Sequence, residues 1–87
     1  MFIILVYDVN TKRVAKVLKT ARKYLYWVQN SVLEGDISEA NFIKLKTELL
    51  KKINPEEDSI IFYTFRTKSY SKREEYGLKK GGDENIL

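Results

Sequence analysis

An uninterrupted apolar run, Phe2-Ile3-Ile4-Leu5-Val6-Tyr7, stands near the start of the chain and ends on Asp8. With no Gly or Pro inside it, such a run predicts a strand buried on both faces. Asn10 and Thr11 are helix N-cap types, and Val14, Val17, Leu18, Ala21 and Leu25 follow at helical spacing, predicting an amphipathic helix with one apolar stripe. Lys12, Lys16, Lys19 and Lys23 fall on another face of it. Tyr26-Trp27-Val28 and Ser31-Val32-Leu33 are strand-like and split by Gln29-Asn30. Periodicity is equally compatible with one kinked strand and with two short ones joined by a tight turn.

Gly35-Asp36 breaks the pattern, and Ser38 with Glu39 marks the start of a second helix. Ile37 is placed to staple onto Phe42, and Phe42, Leu45, Leu49 and Ile53 form the buried stripe, which Asn54-Pro55 stops. Residues 59–66 predict a strong strand built on Ile60, Ile61, Phe62, Tyr63 and Phe65. Residues 74–79 read as a short edge strand, and residues 81–87 as a flexible tail after a single domain of residues 1–80. The order strand, helix, one or two strands, helix, strand predicts an α+β fold. It is a ferredoxin-like sandwich whose antiparallel sheet carries both helices on one face. Two helices leave the other face bare, while Ile61, Tyr63 and Phe65 alternate with Ile60 and Phe62. A face-to-face homodimer is therefore expected.

Composition removes whole classes of chemistry. The chain has no Cys and no His in its 87 residues, so disulfides, thiolate or imidazole zinc sites and His-based triads are excluded. No apolar stretch approaches the length of a membrane span, and the N-terminal run lacks a basic signal-peptide flank. A cytoplasmic protein is expected, with no membrane partner. The net charge of +4 is unevenly spread. Residues 1–30 carry Lys12, Arg13, Lys16, Lys19, Arg22 and Lys23 against Asp8 alone, whereas residues 34–58 carry seven acids against four lysines. One basic face able to meet a polyanion is implied, beside the plainer reading of a solvated helix surface.

Asp8 is the candidate centre. It is the only acid among the first 33 residues, and it lies where a central strand emerges, the edge at which α/β folds bind ligands. A carboxylate there, beside Lys and Arg, points to a metal ion and a phosphodiester; the plainer role is a cap that orders the turn into the first helix.

Val6-Tyr7-Asp8-Val9, the Lys12-Arg13 pair, Lys16-Val17, residues 28–35 (VQNSVLEG) and residues 54–59 (NPEEDS) together resemble one family. It is the second core CRISPR-associated protein, the small partner of the integrase that captures new spacers. The resemblance covers residues 1 to about 80. It implies a βαββαβ ferredoxin-like domain that dimerises through its sheets, with a short C-terminal strand exchanged between copies. It implies that Gln29-Asn30 is a turn between two short strands, and that two copies of Asp8 together bind Mg²⁺. The implied roles are binding duplex DNA while bridging integrase dimers, and metal-dependent cleavage of single-stranded RNA or duplex DNA.

The resemblance makes Asp8 the catalytic and metal-binding candidate. Lys12, Arg13, Lys16 and Arg66 are the nucleic-acid contacts it leaves, with Tyr7 and Ser31 in support. Each has a plainer alternative: interface packing for Tyr7, a strand-turn role for Ser31 and Gln29, and solvated helix positions for Lys16, Lys19 and Lys23. Arg66, Lys68, Lys72 and Arg73 form a second basic run, either a DNA-backbone contact or a solvated edge. Asp36, Asp58 and Glu34 are further carboxylates with turn or strand-end roles. Two function classes follow: an architectural DNA-binding subunit and a Mg²⁺-dependent endonuclease. A non-catalytic ferredoxin-like regulatory or protein-interaction domain is the third.

Overall fold

The computed structural model describes residues 1–67 and 70–78. Its elements are β1 (Phe2–Asp8), α1 (Thr11–Ala21), β2 (Tyr26–Gln29), β3 (Val32–Asp36), α2 (Glu39–Leu50), β4 (Ser59–Thr67) and β5 (Tyr70–Gly77). They form one five-stranded sheet in the order β2-β3-β1-β4-β5, with every neighbouring pair antiparallel.

Strand alternation divides the apolar side chains between two faces. Ile3, Leu5 and Tyr7 of β1, Leu33 of β3, and Ile60 and Phe62 of β4 point to the helix-bearing side and are buried. Val17, Ala21 and Leu25 meet them from the α1 segment, and Phe42, Leu45 and Leu49 from α2. Phe42 and Phe62 pack edge to face, with ring centroids 5.2 Å apart, a favoured aromatic geometry. Each such side chain removed from water contributes about 1.5–3 kcal/mol, which holds both helices on this one face. Thr64 Oγ1 is buried there without a hydrogen-bond partner among the described residues.

Caps set the helix starts. Asn10 Oδ1 accepts from the Lys12 N–H at 3.0 Å, and Ser38 Oγ accepts from the Asn41 N–H at 3.1 Å, each satisfying an orphan donor of a first turn. α2 ends at Leu50, before the Asn54-Pro55 stop expected for it, yet Ile53 still packs on the core. β2 and β3 are separate strands: Asn30 takes φ 38, the left-handed conformation that Asn tolerates in a two-residue turn.

The C-terminal strand begins earlier than residue 74 and is longer than expected. It runs Tyr70–Gly77 and pairs with β4 of its own chain, from Ser59↔Gly77 to Thr67↔Tyr70. Lys68, Lys79 and the expected tail, residues 81–87, lie outside the described residues.

A lone carboxylate on an open face and a clamp behind it

Among the described residues, the second face of the sheet carries no helix. On it the register aligns Phe2 with Phe65, Ile4 with Tyr63, Val6 with Ile61 and Asp8 with Ser59. Phe2, Ile4, Val6, Ile61 and Tyr63 are half-buried, and Phe65 is exposed. The apolar face expected from the alternation of β4 is therefore present, and no described residue covers it. Asp8 stands exposed at its rim, the last residue of β1.

The other described acids do not gather around it. Glu34 and Asp36 share the face but pair with Ile4 and Phe2, so Glu34 lies four strand positions away, about 13 Å along β1. Among the described residues there is no group of three or more acids able to hold a metal ion. Among the described residues, one chain thus offers Mg²⁺ a single carboxylate, the lower end of the one or two with which that ion is commonly held.

Behind the Asp8 turn sits a denser arrangement. Asp58 is fully buried and its carboxylate accepts four hydrogen bonds. Arg13 Nε donates at 2.6 Å and Arg13 Nη2 at 3.1 Å, while the backbone N–H groups of Asn10 and Asn54 donate at 2.9 and 2.8 Å. Arg13 Nη2 also reaches Glu57 Oε1 at 2.8 Å. A buried carboxylate is tolerable only with such pairing. The Arg13 guanidinium holds the Asp58 carboxyl at about 2, with the two backbone donors assisting against the opposing effect of burial. The arginine is in turn raised above its ordinary value by hydrogen bonds to Asp58 and Glu57. Because Asn10 follows Asp8 by two residues, this clamp fixes the turn that carries Asp8 against the start of β4.

The remaining candidate residues separate. Arg13, expected at a phosphate, has its guanidinium engaged by Asp58 and Glu57. Arg66 forms a two-point contact with Glu39 at 3.1 and 2.7 Å. It sits beyond the Phe2↔Phe65 pair, at the opposite end of the sheet from Asp8, about 23 Å away along the strand. Tyr7 points into the helix-side core, away from the face of Asp8, and its N–H donates to the Ser31 carbonyl at 3.1 Å. Burial pushes its phenol up, partly offset by a hydrogen bond with the Ser31 side chain. Lys12 and Lys16 are exposed on α1, and Lys16 lines a depression with Lys19, Thr20, Lys23 and Lys52. Asp8 thus keeps Lys12 as a near neighbour in sequence, while Arg66 belongs elsewhere. The Arg13–Asp58 clamp carried no sequence signal, since its partners lie 45 residues apart.

An antiparallel βαββαβ sheet with two helices on one face and a lone exposed carboxylate at the end of β1 defines a ferredoxin-like protein with an acidic strand-end site. The family model described as CRISPR associated protein Cas2 matches residues 1–73, and the chain belongs to that family. It is 59% identical over 87 residues, spanning all of both chains, to a protein of Dictyoglomus turgidum named CRISPR-associated endoribonuclease Cas2. A Thermotoga maritima protein of the same name is 53% identical, also over the full length of both. Among solved structures, a crystal structure of Cas2 is similar with TM-score 0.74 and 43% identity, covering 80% of this chain and 79% of that one. Streptococcus pyogenes Cas2 gives TM-score 0.69 and 38% identity, covering 75% and 86%. No helix among the described residues is long and apolar enough to cross a membrane.

Proposed function

We propose that the protein acts in CRISPR spacer acquisition as a homodimer that binds duplex DNA and bridges integrase dimers, and that its paired Asp8 residues bind Mg²⁺ and support phosphodiester cleavage. The observation that carries this reading is the uncovered apolar sheet face with Asp8 at its rim. A second copy laid on that face covers half-buried Phe2, Ile4, Val6, Ile61 and Tyr63 and brings a second Asp8 to the same interface. Two carboxylates from two chains supply what one chain lacks, and the naming of relatives as endoribonucleases adds support. Bound there, a divalent ion would acidify a water and neutralise phosphoryl oxygens. The protein's own part is to hold Asp8 in place through the Asp58 clamp, and to draw phosphates to Lys12 and Lys16 on the basic α1.

The lone carboxylate also favours a second reading, in which the dimer is purely architectural and Asp8 is a weak metal ligand without chemistry. An Asp8→Asn variant separates the two. If Mg²⁺-dependent cleavage of single-stranded RNA or duplex DNA disappears while duplex binding stays unchanged, Asp8 is catalytic. Cleavage that persists unchanged in the variant overturns the nuclease reading. Duplex affinity that does not fall as salt rises would overturn the phosphate-binding role as well.

A further inference from the structure

β2 is the outer strand of the sheet, bonded on one side only, and all four of its residues are exposed. Bare edges usually carry charges or prolines that discourage pairing. This one presents Tyr26, 79% exposed, and Trp27, 49% exposed.

The Trp27 ring is already held in place. Its Nε1–H donates to the Asn30 carbonyl at 2.8 Å, and the Arg22 guanidinium lies 5.6 Å from the ring centroid. With the indole N–H satisfied, what remains exposed is aromatic surface that asks for a stacking partner and no further hydrogen bond. Trp27 pairs with Leu33, which is buried on the helix-bearing side, so this ring lies on the opposite side of the sheet from Asp8.

The surroundings are cationic and continuous. A cavity of about 300 Å³ is lined by Arg22, Lys23, Tyr26 and Trp27, and by one acid, Asp36, whose charge is met by the N-terminal ammonium at 3.1 Å. Arg22 also lines a depression with Leu18 and Lys19. Lys19 and Lys23 line a third with Lys16 and Lys52. The shared residues join the three into one track along α1 to the β2 edge. Lys23 is engaged by Glu48 at 2.6 Å, so Lys16, Lys19, Arg22 and Lys52 supply the charge.

A row of cations ending at an aromatic platform matches a ligand that alternates phosphates with accessible planar bases. Duplex keeps its bases stacked inside and would meet only the cations, leaving Trp27 unused. A peptide adding to the edge by backbone pairing would leave the lysines unused. We propose that the β2 edge is a base-stacking site for single-stranded nucleic acid: an unpaired base stacks on Trp27, and the adjoining backbone follows Arg22, Lys19 and Lys16. The inference deepens the function proposed above, resting on its nucleic-acid binding and assigning single strands to this surface.

Trp27 is the only tryptophan in the chain, so its emission reports on this site alone. The intact protein is titrated with a short oligouridine RNA and with a duplex at equal phosphate concentration, while the anisotropy of the labelled nucleic acid is followed in parallel. The single strand is expected to quench the emission and the duplex to leave it unchanged. Trp27→Ala should weaken single-strand affinity roughly 5- to 150-fold, the range for losing one stacked base. Duplex affinity should hold, and Trp27→Phe should restore most of the loss. RNA that binds by anisotropy without changing the emission overturns the stacking site and leaves the proposed function standing. Failure of both nucleic acids to bind at low salt overturns that function and the site with it. Emission that changes with protein concentration alone, and not with RNA, makes the edge a contact between copies and also overturns the proposal.

Discussion

Arg13 grips Asp58 through two nitrogens, Nε at 2.6 Å and Nη2 at 3.1 Å, and so ties the first turn of α1 to the start of β4. The two-point geometry makes this more than a surface ion pair, because the carboxylate is fully buried and has no water to fall back on. Arg13→Ala leaves that charge with two backbone donors only. The expected loss is about 3 kcal/mol, toward the low end for a broken buried pair because those donors remain. Urea denaturation measures it. Arg13→Lys should recover part of the loss but not all, since an ammonium cannot reproduce the fork.

The same carboxylate sets an acid limit. Its folded value of about 2 lies below the ordinary 3.8 because the Arg13 hydrogen bonds favour the charged form. The contribution is complete above about pH 4 and is lost as pH falls from there toward 2. It amounts to about 2–2.5 kcal/mol. Asp58→Asn should be less stable at pH 7 and show a flatter stability profile between pH 4 and 2. A profile as steep as that of the parent protein would assign the acid sensitivity to other carboxylates.

What the sequence disclosed and what it hid have different physical origins. β1, the two helix stripes and the caps at Asn10 and Ser38 were legible because each is a local pattern whose period survives in one dimension. The open face was legible too, since alternation along Ile60-Ile61-Phe62-Tyr63 fixes which side chains lack a helix above them. β5 was only half legible. Tyr70–Gly77 is polar, and its strand conformation comes from pairing with β4 rather than from its own propensity. Arg13 and Asp58 were each visible as charged residues, but nothing local says that a helix arginine and a turn aspartate meet. Reading Arg13 as a phosphate contact followed from its neighbours Lys12 and Lys16; folding engages it with acids from another element.

Thr64 offers a stabilising change. Its hydroxyl is buried without a partner among the described residues, so it bears a desolvation cost with no bond to offset it. Valine keeps the β-branched shape and removes that oxygen. Thr64→Val should raise stability by about 1 kcal/mol in thermal or urea melts. A loss of similar size would mean that the hydroxyl has a water partner in solution.

Gly77 is required by both conformation and space. It adopts φ +94, and a Cβ there would stand 2.0 Å from the Asp58 carbonyl oxygen. That carbonyl accepts from the Leu78 N–H at 2.7 Å, so the end of β5 packs directly on the turn that holds the clamp. Gly77→Ala must shift backbone rather than a side-chain tip, and should cost about 1–3 kcal/mol. Hydrogen exchange should show faster opening of the β4–β5 pairing, while β1 and α1 amides stay protected.

Ile61 lies on the open face, paired in register with Val6 and flanked in its own strand by buried Ile60 and Phe62. In the single chain its side chain is half-buried, so a charge there can still reach water and the monomer fold should tolerate it. Across a face-to-face dimer the same charge would be buried without a partner, at a cost of several kcal/mol for each copy. Ile61→Glu should therefore leave the circular dichroism spectrum intact. Light scattering should show the mass falling from twice the 10.3 kDa chain to one chain. If the Asp8 carboxylates bind Mg²⁺ as a pair, its affinity falls in the same variant, although Asp8 itself is untouched. A dimer that survives Ile61→Glu places the contact on another surface and removes the basis for pairing two Asp8 residues.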